Sequence, residues 1–328
     1  MKAWLLKEFR GLDALELAEV DDPVAGPNEV RLKVRFSSLN PADRYLAEGQ
    51  YPAKPKLPHI LGRDAVGMVD QVGAGVANWN EGDLGVLLRG EVGVERWGTF
   101  AQRVVVPSGY LVPLPPGWTH EQAAGAPLVY LTAYQALTQW GELPREAVVL
   151  VTGASGGVGI ATIQLARAMG LRPLGLSRGA DRFEQLKSLG AEACFDPTDE
   201  NFPALIKQHL KDRRVDLAVD NVAGPVFANV IATLGDRGKV SVVGRQAGVV
   251  PNFNTGTLFF RRLRIGGVAV GAYTNQEARD SWDQVVRLLS TTGARPVIDQ
   301  VFPFEQLPKA FEHLWDQHLG KVLLAVNA

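Results

Sequence analysis

Up to about residue 120 the apolar positions fall in short runs rich in β-branched residues, each closed by a turn signal. Val30–Phe36, Ala65–Val69 and Gln102–Val106 are such runs, separated by Pro27-Asn28, Gly73-Ala74-Gly75, Glu81-Gly82-Asp83 and Pro115-Pro116-Gly117. Short strands with turns of this kind predict a β-rich domain, built as a partial barrel. From about residue 147 the rhythm becomes strand, helix, strand, helix. Strands are expected at Ala147–Thr152, Arg172–Ser177, Ala193–Phe195, Val215–Asp220, Lys239–Val243 and Arg264–Val270. Helical stretches at Val158–Met169, Asp181–Leu189 and Phe202–Lys211 lie between them, the second opened by an Asp181-x-x-Glu184 capping box and stopped by Gly190. That alternation predicts a doubly wound parallel sheet with helices on both faces. A helix at Gln276–Leu289 follows, then an amphipathic helix at Glu305–Trp315. Val297–Phe302 and Lys321–Val326 read as strands that return to the first domain's sheet. The fold class is α/β, with domain boundaries expected at 1–123 plus 272–328 for the β-rich part and 124–271 for the inserted sheet.

Composition narrows the classes of function. The 328 residues are 46% hydrophobic and 21% charged, with 34 basic against 35 acidic side chains, a net charge of −1. That is an ordinary globular balance, without the electrostatic footprint of a nucleic-acid or anionic-membrane binder. The single cysteine, Cys194, excludes an intrachain disulfide and any site of several thiolates, and fits a reducing, cytoplasmic setting. The opening Met1–Glu8 has too short an apolar run for a signal peptide, and no stretch approaches the ~18 residues of a membrane span.

The richest chemistry lies in Val149-Leu150-Val151-Thr152-Gly153-Ala154-Ser155-Gly156-Gly157-Val158-Gly159, an apolar strand turning through glycines into a helix. Such glycines allow a tight turn, let the backbone approach a pyrophosphate, and let helix pack close to strand. The helix N-terminus then offers its free N–H groups to phosphate. Gly153, Ser155, Gly156, Gly157, Val158 and Gly159 are the candidate contacts. Two other patterns share these letters. Gly153-x-Ser155-x-Gly157 fits a nucleophile elbow, with Asp220 and His313 in the chain order of a hydrolase triad. In that fold the elbow follows several βα units, however, whereas here the first parallel strand carries it. The short-chain dehydrogenase signature also fits locally, but none of the six tyrosines has lysine four residues on.

Where an NAD-binding sheet places an acid at the end of its second strand, this chain has Ser177-Arg178. A guanidinium grips a phosphate in a planar fork and a carboxylate would repel one, so NADPH is the expected cofactor. Asp181 is the nearest acid in sequence, and Arg178 as a solvated loop residue is the alternative reading.

The motifs then line up with a known family. Ser37-Ser38-Leu39-Asn40-Pro41-Ala42-Asp43, Leu61-Gly62-Arg63-Asp64-Ala65-Val66-Gly67, Gly82-Asp83, Thr132-Ala133-Tyr134, the glycine turn and Gly320-Lys321-Val322-Leu323 occur in order along nearly the whole chain. In these the chain resembles the medium-chain dehydrogenase/reductase superfamily, and within it the zinc-free quinone oxidoreductase, or zeta-crystallin-like, branch. The resemblance implies a GroES-like β-domain joined to a Rossmann domain, and an NADPH-dependent reductase of quinones or α,β-unsaturated carbonyls that works as a homodimer. Zinc-dependent relatives carry cysteine where this chain has Asn40 and histidine where it has Arg63, so no metal is expected. Asn40 as a hydrogen-bond donor, Tyr45 and Tyr51 as orienting or proton-relaying groups, and Asp43 as an anchor are the candidate catalytic residues. A turn element at Asn40, a helix cap at Asp43 and plain packing for the tyrosines are the alternatives. Arg63 departs from the branch; it either pairs with Asp64 or Asp43 or faces the substrate. The cofactor contacts implied are Thr132, the glycine turn, Ser177, Arg178, Asn221, Gly244 and Lys321, this last otherwise an exposed strand residue. Arg264–Val270 is the candidate dimer edge, and Arg89–Trp97 has the composition of a loop. A carrier that binds NADPH with little turnover is the reading the sequence leaves beside the enzyme.

Overall fold

The computed structural model describes residues 1–88, 91–249, 252–316 and 318–327. Arg89 and Gly90 of the Arg89–Trp97 segment lie outside them. Along the chain come β1 (Lys2–Leu6), β2 (Leu15–Glu19), β3 (Glu29–Ser38), α1 (Pro41–Ala47), β4 (His59–Ile60) and β5 (Asp64–Val72). They are followed by β6 (Leu84–Leu87), β7 (Arg103–Pro107), β8 (Leu111–Pro113), α2 (His120–Ala124) and α3 (Pro127–Thr138). The alternating section runs β9 (Val148–Thr152), α4 (Gly157–Ala168), β10 (Arg172–Leu176), α5 (Phe183–Ser188), β11 (Ala193–Phe195) and α6 (Phe202–Leu210). It continues with β12 (Val215–Asp220), α7 (Phe227–Thr233), β13 (Leu234–Val242), α8 (Gly256–Arg261) and β14 (Arg264–Gly267). The chain ends with α9 (Asn275–Thr292), β15 (Ile298–Pro303), α10 (Leu307–Trp315) and β16 (Lys321–Ala325).

Two compact units result. The first holds Met1–Leu128, Tyr273–Trp282 and Arg295–Ala328; the second holds Val129–Ala272 and Asp283–Ala294. The later part of α9 therefore counts with the second unit, where the sequence placed it with the first.

In the first unit one sheet runs β15-β16-β3-β5-β6-β8, with β7 beside β3, and a smaller sheet runs β2-β1-β4. The last strand docks antiparallel on β3, Leu323 opposite Ser38, so both chain ends share one sheet. On β3 the alternation of Val30, Leu32 and Val34 with Arg31, Lys33 and Arg35 turns one face inward, against Val69, Leu87, Val104 and Val106. Burying each such aliphatic side chain is worth about 1.5–3 kcal/mol.

The second unit is a six-stranded, all-parallel sheet in the order β11-β10-β9-β12-β13-β14. In chain order that is 3-2-1-4-5-6, the doubly wound arrangement, and its strand order reverses between β9 and β12. β9 is buried throughout, as a central parallel strand must be. Phe202 and Ile206 of α6 and Phe227 and Ile231 of α7 pack on the face that carries Val148, Leu150, Leu174 and Val240.

Three local expectations need correction. The Asp181–Glu184 capping box is absent: a 3-10 turn over Ala180–Arg182 leads into α5, and the Phe183 N–H is already taken by the Ala180 carbonyl. The fifth strand starts earlier, at Leu234, because a register irregularity between Val215 and Leu217 lets it pair with β12 on both sides of the break. The sixth strand ends at Gly267 and gives way to a 3-10 turn at Val270–Ala272. Among the described residues no helix is long and apolar enough to cross a membrane.

Candidate functional site

The candidate residues form one group in each unit. In the second unit β9 ends at Thr152 and turns at Gly153, whose φ of +58° is left-handed and suits glycine. The amide of Ala154 is tied to the Leu176 carbonyl (3.0 Å), and that of Gly156 to the Gly153 carbonyl (3.1 Å). Helix α4 then begins at Gly157 with no side chain capping it. A Cβ on Gly159 would sit 2.3 Å from the Gly153 carbonyl oxygen, so only glycine lets helix and turn approach this closely. Uncapped N–H groups at the start of a 12-residue helix, behind a turn with no side chain in the way, fit a pyrophosphate.

Beside the turn lies a lock across the point where strand order reverses. The Thr152 hydroxyl donates to Asp220 Oδ1 (2.7 Å) and accepts from the Asn221 N–H (2.8 Å). Asn221 Nδ2 donates to the Thr152 carbonyl (2.7 Å), and the amides of Val222 and Ala223 donate to Asp220 Oδ1. Asn221 Oδ1 is buried with no hydrogen-bond partner among the described residues. Gly244, at the end of the next strand, has no room for a Cβ, which would lie 2.5 Å from the Asn221 carbonyl oxygen. Thr152 and Asp220 are the members of this group that sequence reasoning missed as partners. Each ends a strand, a visible signal, but only the strand order makes them neighbours.

At the end of β10, Ser177 is buried and Arg178 is exposed. Asp196, at the end of neighbouring β11, is taken by the N–H and hydroxyl of Thr198 (2.8 and 2.7 Å). Thr132 is buried on α3, and Ser155 is half-buried in the turn. Two members of the hydrolase pattern have other partners. Asp220 is bound to Thr152, and His313 Nε2 meets Asp299 Oδ2 at 2.5 Å on the solvent side of α10. Cys194 is half-buried on β11, and burial pushes its thiol up to about 11, which disfavours the thiolate.

In the first unit a buried polar cluster gathers around Lys321. Its ammonium donates to the Leu39 carbonyl and to Asn40 Oδ1, both at 2.7 Å. Asn40 Nδ2 donates to Asp64 Oδ2 (2.8 Å), which also accepts from Ser38 Oγ, while Asp64 Oδ1 accepts from the Leu128 N–H. Asp43 accepts from the Asn40 N–H (2.9 Å) and lies 3.5 Å from Arg63 Nε. Burial pushes the Asp43 carboxyl up to about 6; Arg63, the Asn40 N–H and Lys321 pull the other way, and burial prevails over an ion pair this long. Burial likewise lowers the Lys321 ammonium against the pull of Asp64 and Asp43. His59, also buried, is lowered to about 4 chiefly by burial, with the Arg63 charge adding to it.

These contacts change two readings. Lys321 is no exposed strand residue: it is 5% exposed and its ammonium is spent inside the first unit. Asn40 does not present its amide to a ligand, because it is 3% exposed, its oxygen is held by Lys321 and its nitrogen by Asp64. Arg63 pairs with Asp43 and not with Asp64. Asp43 does cap α1. Tyr45 lies half-buried on α1, and Tyr51 half-buried against Arg63. The donor set does not fit a metal ion. Asp43 is paired with a guanidinium and Asp64 is taken by three neutral donors, and among the described residues no three His, Cys, Asp or Glu side chains converge as ligands.

Comparison with known proteins gives the following. The alcohol dehydrogenase GroES-like domain matches residues 26–116, and the zinc-binding dehydrogenase domain matches residues 157–291. The quinone oxidoreductase of Rattus norvegicus is 30% identical over 327 residues, 99% of this chain and 97% of its own length. Among solved structures, an NAD-dependent alcohol dehydrogenase aligns with a TM-score of 0.91 at 29% identity, with 99% of each chain covered. A mycobacterial protein crystallised with NADPH aligns with a TM-score of 0.89 at 25% identity, again with 99% of each covered.

Proposed function

This chain belongs to the medium-chain dehydrogenase/reductase superfamily, as a quinone oxidoreductase-like member, and from that premise we propose that it reduces quinones or α,β-unsaturated carbonyls with NADPH and without zinc. The observation that carries the cofactor half is the uncapped turn at Gly153–Gly159 with Ser177-Arg178, and no acid, at the end of the second strand. The amides at the head of α4 hold the pyrophosphate, and Ser177 and Arg178 hold the 2′-phosphate. The Thr152–Asp220 lock sets the spacing of the two strand ends against which the nicotinamide half lies. When bound, the dinucleotide supplies the hydride. Hydrogen-bond donors steady the charge on the acceptor's oxygen. A conjugated acceptor needs no more than this, whereas an unactivated ketone is hard to polarise without a Lewis acid. The solved relatives include an NAD-dependent enzyme and a protein complexed with NADPH, so the choice of NADPH rests on Arg178 of this chain.

The test is to follow NADPH consumption by the purified protein with a panel of quinones and enones. Saturable turnover supports the enzyme; binding with no turnover by any acceptor supports an NADPH carrier instead. Arg178→Ala removes a charge-assisted contact worth about 1.5–3 kcal/mol, so NADPH should bind about 10–100-fold more weakly while NADH binding stays as it was. Equal losses for both would refute the assignment.

The second unit also exposes the edge of β14, and beside it Phe259 and Phe260 are 77% and 82% exposed, with Ile265 at 38%. We take this edge to be where two copies join, strand to strand about a two-fold axis. Sedimentation should give a dimer for the natural chain and a monomer for Phe260→Asp/Ile265→Lys. A natural chain that sediments as a monomer at micromolar concentration sinks this part.

A further inference from the structure

Arg63 has no place in the scheme so far, yet its surroundings are unusually specific. It lies between β4 and β5 with a side chain only 10% exposed. Nη1 donates to the Tyr51 hydroxyl (3.1 Å), the guanidinium lies over the Tyr51 ring at 4.5 Å, and Nη2 reaches the Ala42 carbonyl (3.4 Å). Nε faces the buried Asp43 at 3.5 Å. Nη1, Nη2 and the stacked face are all engaged, while Nε meets Asp43 only as a long ion pair and has no hydrogen-bond partner among the described residues.

A guanidinium donates and never accepts. The bond to Tyr51 therefore occupies a lone pair of the phenol oxygen, and the phenolic hydrogen takes no part in it. Among the described residues no acceptor for that hydrogen exists, and the ring is only half-buried. A donor whose oxygen already accepts from a permanent cation is polarised further, because hydrogen bonds in series strengthen one another. The result is a phenol with a lone pair engaged and its hydrogen left to give, beside a guanidinium that is paired with a buried carboxylate.

We propose that Arg63 is a positioning residue that commits Tyr51 to donate its hydrogen bond to the carbonyl oxygen of a conjugated ketone or quinone. This rests on the reading of the protein as a reductase of such acceptors. The competing account is that Arg63 merely neutralises Asp43. The two accounts part at Arg63→Lys, which keeps a positive charge near Asp43 but loses the planar fork and the stack on Tyr51.

Turnover of 1,4-naphthoquinone at saturating NADPH is to be measured for the natural chain, Tyr51→Phe, Arg63→Lys and the double variant, alongside melting temperature and NADPH affinity. Tyr51→Phe should lower kcat about 100-fold, the usual loss for one oxyanion donor, with KM changed by less than about threefold. Arg63→Lys should keep its melting temperature and NADPH affinity and still lose about tenfold in kcat, and the double variant should be no worse than Tyr51→Phe. Losses that multiply in the double variant, full activity in Arg63→Lys, or an effect confined to KM would overturn the proposal. If Arg63→Lys fails to fold, Tyr51→Phe decides, and kcat within about twofold of the natural chain sinks the idea. A natural chain that reduces no quinone or enone removes the underlying reading; one that does, with an unaffected Tyr51→Phe, removes only this inference.

Discussion

Replacing Lys321 with methionine should lower the stability of the protein by about 3–5 kcal/mol, the cost of stripping one partner from a buried charge cluster. In a chain of this size that is roughly a 10 °C fall in melting temperature. The reason lies in what the ammonium holds. It satisfies the Leu39 carbonyl and Asn40 Oδ1 at 2.7 Å each, and its charge acts on both Asp43 and Asp64. Methionine fills much of the volume but leaves those oxygens without a donor. Asp64 keeps three others, from Ser38, Asn40 and Leu128. Asp43 keeps only the Asn40 N–H and a long contact to Arg63, so it suffers more. Adding Asp43→Asn to Lys321→Met should therefore recover part of the loss. Thermal denaturation of both variants checks this. An unchanged melting temperature in the single variant would show that the cluster does not depend on its ammonium.

Gly159→Val should all but abolish NADPH binding, by more than about 100-fold, and destabilise the second unit by about 3 kcal/mol or more. The new Cβ would meet the Gly153 carbonyl oxygen at 2.3 Å and the Ala154 backbone at 2.7 Å. Both are main-chain atoms of the turn itself and cannot swing aside as a flexible side chain could. Relief requires α4 to move off β9, which carries its uncapped N–H groups away from the phosphates they are proposed to hold. Gly170, just past the C-terminus of the same helix, is the control. Its φ is +73° but nothing lies within 4 Å, so Gly170→Asn should cost less than about 1 kcal/mol and leave binding intact. Cofactor fluorescence titration reads the affinity and chemical denaturation the stability. A Gly159→Val variant that binds NADPH normally would mean that the turn is not the phosphate cradle.

The contrast between these two sites shows what can be read along a chain. Gly159 follows a strand at a fixed short interval, and its role as the point of close helix–strand approach is local. Lys321, in Gly320-Lys321-Val322-Leu323, reads in sequence as a cofactor contact or an exposed strand position, and its partner Asn40 is 281 residues away. Asn40 was readable as a candidate donor but not as spent, since nothing near it in sequence says that an ammonium takes its oxygen. At Arg63 the sequence left Asp43, Asp64 and substrate open as partners, and the fold selects Asp43. The Asp181–Glu184 pair has the letters of a helix cap, yet a 3-10 turn serves those amides instead.

By itself the chain's pattern determined the two kinds of architecture, the return of its end to the first sheet, and the glycine crease. Each depends on side-chain periodicity or on backbone sterics acting over a few residues. Only the tertiary structure decided which buried charges meet, that Thr152 and Asp220 face each other, and that Arg63 holds the oxygen of Tyr51. Those pairings follow from strand order and register, which join residues far apart in the chain, and in a low-dielectric interior a buried charge must accept whichever partner that geometry supplies.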